Sequence, residues 1–137
     1  MRVSARAIII ENQKVLLMFR RKIDGDEVKE YYVVPGGGQD EGETLEQTVK
    51  RELNEELGVE IEIVNFVGEE TFKQSNSHYF LCKITKGTPA LGGEELDRMT
   101  QENFYQPQWV EIEKLDDLVV HGKEFVKKCC ESAPLCE

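Results

Sequence analysis

Gly36 to Val59 reads GGGQDEGETLEQTVKRELNEELGV, and this stretch decides the fold. Leu45, Val49, Leu53 and Leu57 recur at four-residue steps, the repeat of a helix that buries one face. Thr44 and Gln47 make a capping-box pattern, and Gly58 stands where a helix end takes a left-handed residue. The spacing predicts a helix over residues 44–57. On its wheel Glu52 and Glu56 lie one turn apart, with Glu55 on the same side. These three acids flank the Leu45/Val49/Leu53 stripe, whereas Lys50 and Asn54 point away from it. Carboxylates at the edge of a buried stripe repel one another and resist desolvation. A divalent cation resolves that conflict, and an all-oxygen donor set suits Mg²⁺, or Mn²⁺, better than zinc.

Just ahead of the helix, Gly36, Gly37 and Gly38 form a glycine turn that lets backbone approach a ligand or metal, where a carbonyl can complete coordination. Glycine turns and acidic helix faces are each common, and each alone reads as a plain turn or a solvated surface. Together they are not common.

Outward from this stretch, strands dominate. Arg2 to Ile10 and Lys14 to Lys22 read as strands around an Asn12-Gln13 turn, followed by a polar loop over Ile23 to Glu30 and a short strand from Tyr31 to Val34 that Pro35 ends. A strand pattern resumes at Val59, another runs from His78 to Ile84, and Phe104 to Val110 is the last, placed at an edge or bulge by Pro107. Glu113 to Leu118 and Lys123 to Glu131 read as helices. Strands mixed with helices make the class α/β or α+β.

The 137 residues suit one domain, 1–137, with a single core, and 39% hydrophobic against 32% charged residues fits a folded chain. The net charge of −10 excludes a long nucleic acid as main partner, which would need a basic stripe. The Ile8-Ile9-Ile10 run is far too short to span a bilayer, so a cytoplasmic location is expected, as monomer or homodimer. Cys82, Cys129, Cys130 and Cys136 lack paired metal-site spacing and read as free thiols.

The chain resembles the Nudix hydrolases. Gly37, Glu43, Arg51-Glu52-Leu53, Glu55-Glu56 and Gly58-Val59 match the Nudix box in full, Tyr32, Val34, Pro35 and Gly36 resemble its lead-in, and Trp109-Val110 with Leu115 and Leu118 resembles the family's closing strand and helix. The resemblance implies an α/β/α sandwich with a mixed sheet and the box as a loop–helix–loop. It implies Mg²⁺ on Glu52, Glu55, Glu56 and the Gly36 carbonyl, with Gly37, Glu43, Arg51 and Gly58 structural. The implied reaction is attack of water on phosphorus in a nucleoside diphosphate linked to another group, a small nucleotide and foremost a nucleoside triphosphate, with the three glutamates as catalytic residues and Glu52 as candidate base.

One departure stands out. Some members carry a further acid near the closing Trp, where this chain has Gln108; Glu94, Glu95 or Glu102 could substitute, and each is equally readable as a surface acid. Arg20, Arg21 and Lys22 form a compact basic cluster that either holds substrate phosphates or protects a sheet edge by charge. Arg20, Arg21 and Tyr32 are the candidate substrate contacts. Tyr31, Phe72, Tyr79, Phe104 and Trp109 serve as a stacking surface or as core, and His78 and His121 receive no role. Alternatives are a catalytically silent nucleotide sensor, against which the intact box speaks, and an RNA 5′-end pyrophosphohydrolase. Isoprenoid diphosphate isomerisation would need a Cys and His set that is not seen.

Overall fold

A computed structural model describes residues 1–92, 100 and 103–131. Strands β1 (Arg2–Glu11) and β2 (Lys14–Asp24) join through Asn12 and Gln13, both with positive φ (51° and 63°), the backbone that suits a tight two-residue hairpin. The two strands pair only at Ile10↔Val15 and Glu11↔Lys14, and then diverge. This early parting opens a V between two sheets, and the V positions the site.

On one arm, β1 pairs antiparallel with β4 (Gly36–Gly38) and parallel with β6 (Ser75–Lys86), which in turn pairs with the edge strand β5 (Glu60–Phe72). On the other arm, β2 lies between β3 (Glu27–Val33) and β7 (Asn103–Glu111), and β3 pairs parallel with the short β8 (Val120–His121). Register shifts at three places bend β5, which blunts an otherwise long exposed edge.

Helix α1 (Leu45–Leu57) covers one face, and helix α2 (Lys123–Glu131) the other. Alternation along β1 and β2 sends Ala5, Ala7, Ile9, Leu16 and Met18 towards α1, where Val49, Leu53 and Leu57 are fully buried. It sends Ile8, Val15 and Leu17 the other way, against Leu115, Val126 and Cys129. An α/β/α layering with a mixed, curled sheet results.

Several sequence expectations change. The loop expected over Ile23 to Glu30 is a hairpin, because β2 and β3 pair through to Asp24↔Glu27 around Gly25 (φ 64°). The expected glycine turn is a strand, since Gly36, Gly37 and Gly38 pair with Arg6, Ala5 and Ser4. The helix expected over Glu113 to Leu118 is a 3₁₀ helix, Ile112–Asp117, and β8 follows it. Pro107 does lie on an edge strand, for β7 pairs with β2 alone among the described strands. The chain contains no helix long and apolar enough to cross a membrane among the described residues.

Candidate active site

The loop before α1 is held by one side chain. Arg51 donates from Nε to Glu43 Oε2 at 2.6 Å, and from Nη2 to Glu43 Oε1 and the Gly38 carbonyl, each at 3.0 Å. Glu43 also accepts from the Asp40 amide and the Thr48 hydroxyl, both at 2.9 Å. These bonds, led by the one to Arg51, hold the Glu43 carboxyl down to about 2. At the helix start Thr44 and Gln47 exchange the two capping-box bonds, and Gly58 ends the helix at φ 68°. Both caps follow the sequence expectation.

The remaining nitrogen of Arg51, Nη1, lies 3.0 Å from Glu52 Oε1 and 3.1 Å from Glu55 Oε2. Glu52 is half-buried, and burial pushes its pKa up against the pull of Arg51. It leans on the glycine strand so closely that a Cβ on Gly37 would meet its carboxyl carbon at 2.5 Å. A Cβ on Gly36 would stand 2.2 Å from the Ala5 carbonyl oxygen. Packing thus requires glycine at Gly36, where the neighbour is backbone, whereas a side chain at Gly37 would displace the Glu52 carboxylate. Glu56 is buried at 8% exposure, while Glu55 is largely exposed.

This donor set has the chemistry for a hard divalent cation: carboxylates at the edge of a core, beside backbone that comes close. Among the described residues, however, no three His, Cys, Asp or Glu side chains are already grouped to hold one. Arg51 Nη1 reaches both Glu52 and Glu55, so these two carboxylates share a single positive group.

The other sequence candidates separate by strand alternation. Arg20 shares a face with Tyr105 and Tyr31, donating to the Tyr105 hydroxyl at 2.7 Å with its guanidinium 4.3 Å from that ring. Arg21 points to the opposite face, over Phe104, and Tyr32 packs there on Phe19 with its hydroxyl donating to Gln108. Arg20 and Arg21 therefore do not converge on one phosphate. The edge-protection reading of the cluster also falls, because β2 lies between β3 and β7. Trp109 faces a separate depression of about 510 Å³ with Lys14 and Lys86, at the hairpin end of β1. Cys82 is a free thiol, and burial pushes it up to about 12. Glu94, Glu95, Glu102 and Cys136 lie outside the described residues.

Two residues without a sequence-assigned role come forward. Arg6 and His121 line a cleft of about 440 Å³ in the V, with Val33, Val34, Phe72 and Tyr79. Arg6 Nη1 donates to the Val34 carbonyl at 2.8 Å, and its charge is felt by both Glu56 and Glu52. His121 stacks on Tyr31 at 4.9 Å, and burial, then Arg6 and Arg20, lower its pKa. The one available signal for Arg6 was a charge set within an apolar strand.

The NUDIX domain family model matches residues 1–129. The chain is 30% identical over 135 residues to an RNA pyrophosphohydrolase of Novosphingobium aromaticivorans, covering 87% of this chain and 83% of that one. It is 28% identical over 120 residues to a mouse oxidized purine nucleoside triphosphate hydrolase, covering 83% and 69% respectively. Its fold is like that of a MutT NUDIX hydrolase from Burkholderia pseudomallei, with a TM-score of 0.71 at 21% identity over 93% of this chain and 96% of that one.

Proposed function

The chain belongs to the NUDIX family of nucleotide pyrophosphohydrolases, and from that premise we propose that it cleaves a nucleoside triphosphate with Mg²⁺ held by Glu52, Glu55, Glu56 and the Gly36 carbonyl. When bound, the cation polarises phosphoryl oxygens and offsets the charge of the departing phosphate. The chain's own groups do the rest. Glu52 takes the proton of the attacking water, since burial makes its carboxylate a stronger base than an exposed one. Water adds to one phosphorus of the α–β linkage as its bond to the bridging oxygen breaks, and the departing group, pyrophosphate or nucleoside monophosphate, carries off the electron pair. Arg51 fixes the glycine strand to α1, and Arg20 supplies positive charge on the α1 face of β2. The inter-sheet cleft beside Gly36 receives the nucleoside end of the substrate.

The observation that carries this reading is the half-buried Glu52 carboxylate wedged against Gly37. Purified protein incubated with Mg²⁺ and a panel of nucleoside triphosphates, ADP-ribose, dinucleoside polyphosphates and 5′-triphosphate RNA is expected to release a nucleoside monophosphate and inorganic pyrophosphate from triphosphates. Replacing Glu52 by Gln should cost about a thousandfold in kcat, the range for losing a positioned base. Tight nucleotide binding with no turnover would instead make the protein a sensor.

A further inference from the structure

Helix α1 ends at Gly58, and the chain leaving β6 turns across that end. Ala90 and Gly92 donate to the Leu57 and Glu56 carbonyls at 3.0 and 2.8 Å, and a Cβ on Gly87 (φ 95°) would stand 2.8 Å from the Gly58 carbonyl oxygen. Gly87 also lines the depression of about 510 Å³ at the hairpin end of β1, so one wall of it is pinned to the helix. Glu11, in the same lining, lies five residues along β1 from Arg6, the partner of Gly36. That is about 16 Å along the strand from the glycine strand β4. The depression shares no lining residue with the cleft between the sheets.

Strand alternation sets what the depression contains. Lys14 follows the face of β2 that carries Leu16 and Met18, Lys86 follows the face of β6 that carries Cys82 and Ile84, and Trp109 stands opposite Leu16. Under α1 that face is core; past the helix end it is open, and Trp109 is left 36% exposed. An indole open to water offers a stacking face to a flat ring. The two lysines are also distinct in their surroundings. Lys29, Lys83, Lys114 and Lys127 each pair with a carboxylate. Lys14 and Lys86 make no ion pair among the described residues, although Glu11 lines the same depression. In a chain of net charge −10, two uncommitted ammonium groups beside one indole favour an anion there.

We propose that this depression is a second ligand site, taking a planar aromatic ring that carries a phosphate. The ring stacks on Trp109, and the phosphate sits against Lys14 and Lys86. Thr88 adds a hydroxyl donor, whereas the Thr85 hydroxyl is already given to the Glu60 carbonyl at 3.2 Å. Aromatic cations, which an exposed indole alone would attract, are repelled by the lysines. The volume lies within the range of small-molecule sites.

The chain has a single tryptophan, so the fluorescence of Trp109 reads the site directly. The intact protein is titrated with AMP, phenyl phosphate, adenosine and inorganic phosphate, in EDTA to keep divalent metal from the catalytic site. AMP and phenyl phosphate should quench saturably, and adenosine should bind about tenfold more weakly than AMP. Lys14→Gln and Lys86→Gln should each weaken AMP about threefold, and the double variant about tenfold, the range of exposed charge pairs. Both lysines are exposed, so these variants keep the fold. Equal affinity for AMP and phenyl phosphate would make the site general for aryl phosphates, and tighter AMP would make it a nucleotide site; either supports the proposal. No saturable quenching overturns it, as does adenosine bound as tightly as AMP, or AMP binding unchanged in the double variant. Inorganic phosphate displacing AMP at AMP's own affinity removes the ring from the argument and overturns it too. Quenching that appears only when Mg²⁺ replaces EDTA belongs to the catalytic site and has the same consequence. Absence of triphosphate turnover would sink the hydrolase reading alone, since this titration needs neither metal nor turnover.

Discussion

Glu52 stands between two opposed forces. Burial raises its pKa, and the guanidinium of Arg51 at 3.0 Å lowers it; burial is the larger. Because the folded state holds the proton more tightly than the unfolded one, its contribution to stability is fully present below the ordinary value of 4.5 and is lost as pH rises through the folded pKa. Glutamine never takes the charge. Glu52→Gln should therefore melt higher than the intact protein at pH 7 without metal, with the gap closing towards pH 4, while its turnover collapses. Thermal unfolding at the two pH values checks this, and an equal shift at both would defeat it. Glu43 runs the opposite way: its carboxyl, held near 2 by Arg51, supports the loop above 4.5 and lets go as pH falls through 2.

Helix α1 separates stability from chemistry at its two borders. Thr44 contributes a cap, and Thr44→Ala should cost about 1 kcal/mol, or about 3 °C of melting temperature, with kcat nearly unchanged. Gly37 contributes an absence of side chain. Gly37→Ala puts a methyl 2.5 Å from the Glu52 carboxyl carbon, so the carboxylate must move. Displacing a reacting group by about 1 Å costs on the order of a hundredfold in rate. Parallel melting curves and kinetics on the two variants read this contrast, and a Gly37→Ala enzyme of normal activity would refute the placement of Glu52. The helix was legible because its signals are local: four-residue steps, a Thr–Gln box and a terminal glycine. The strand β4 was not, because three glycines carry no pattern and pair only through the distant β1.

The whole molecule is strongly acidic, with a net charge of −10, yet Arg6 and Arg20 both bring positive charge to His121 where the sheets part. A cation held between α1 and β4 would join the two arms of the site and bind the folded state alone. Mg²⁺ at a hundred times its dissociation constant should then stabilise the protein by about 2.7 kcal/mol. The expected rise in melting temperature is saturable and is not reproduced by sodium chloride of matched ionic strength. A shift equal in both salts would mean charge screening of an acidic surface, not a site.

The sequence by itself determined the helix, its caps and the family, since each rests on residues a few positions apart whose spacing is the physical cause. Alternation also places Arg20 and Arg21 on opposite faces of any strand that holds them. Only the tertiary structure decided that β2 is central, that Tyr32 packs on Phe19 while Tyr31 faces His121, and that Arg6 meets His121 across the V. Those outcomes depend on which strands pair and where β1 leaves β2 after two residue pairs. Such pairings join distant segments through backbone hydrogen bonds, which carry no side-chain signature along the chain.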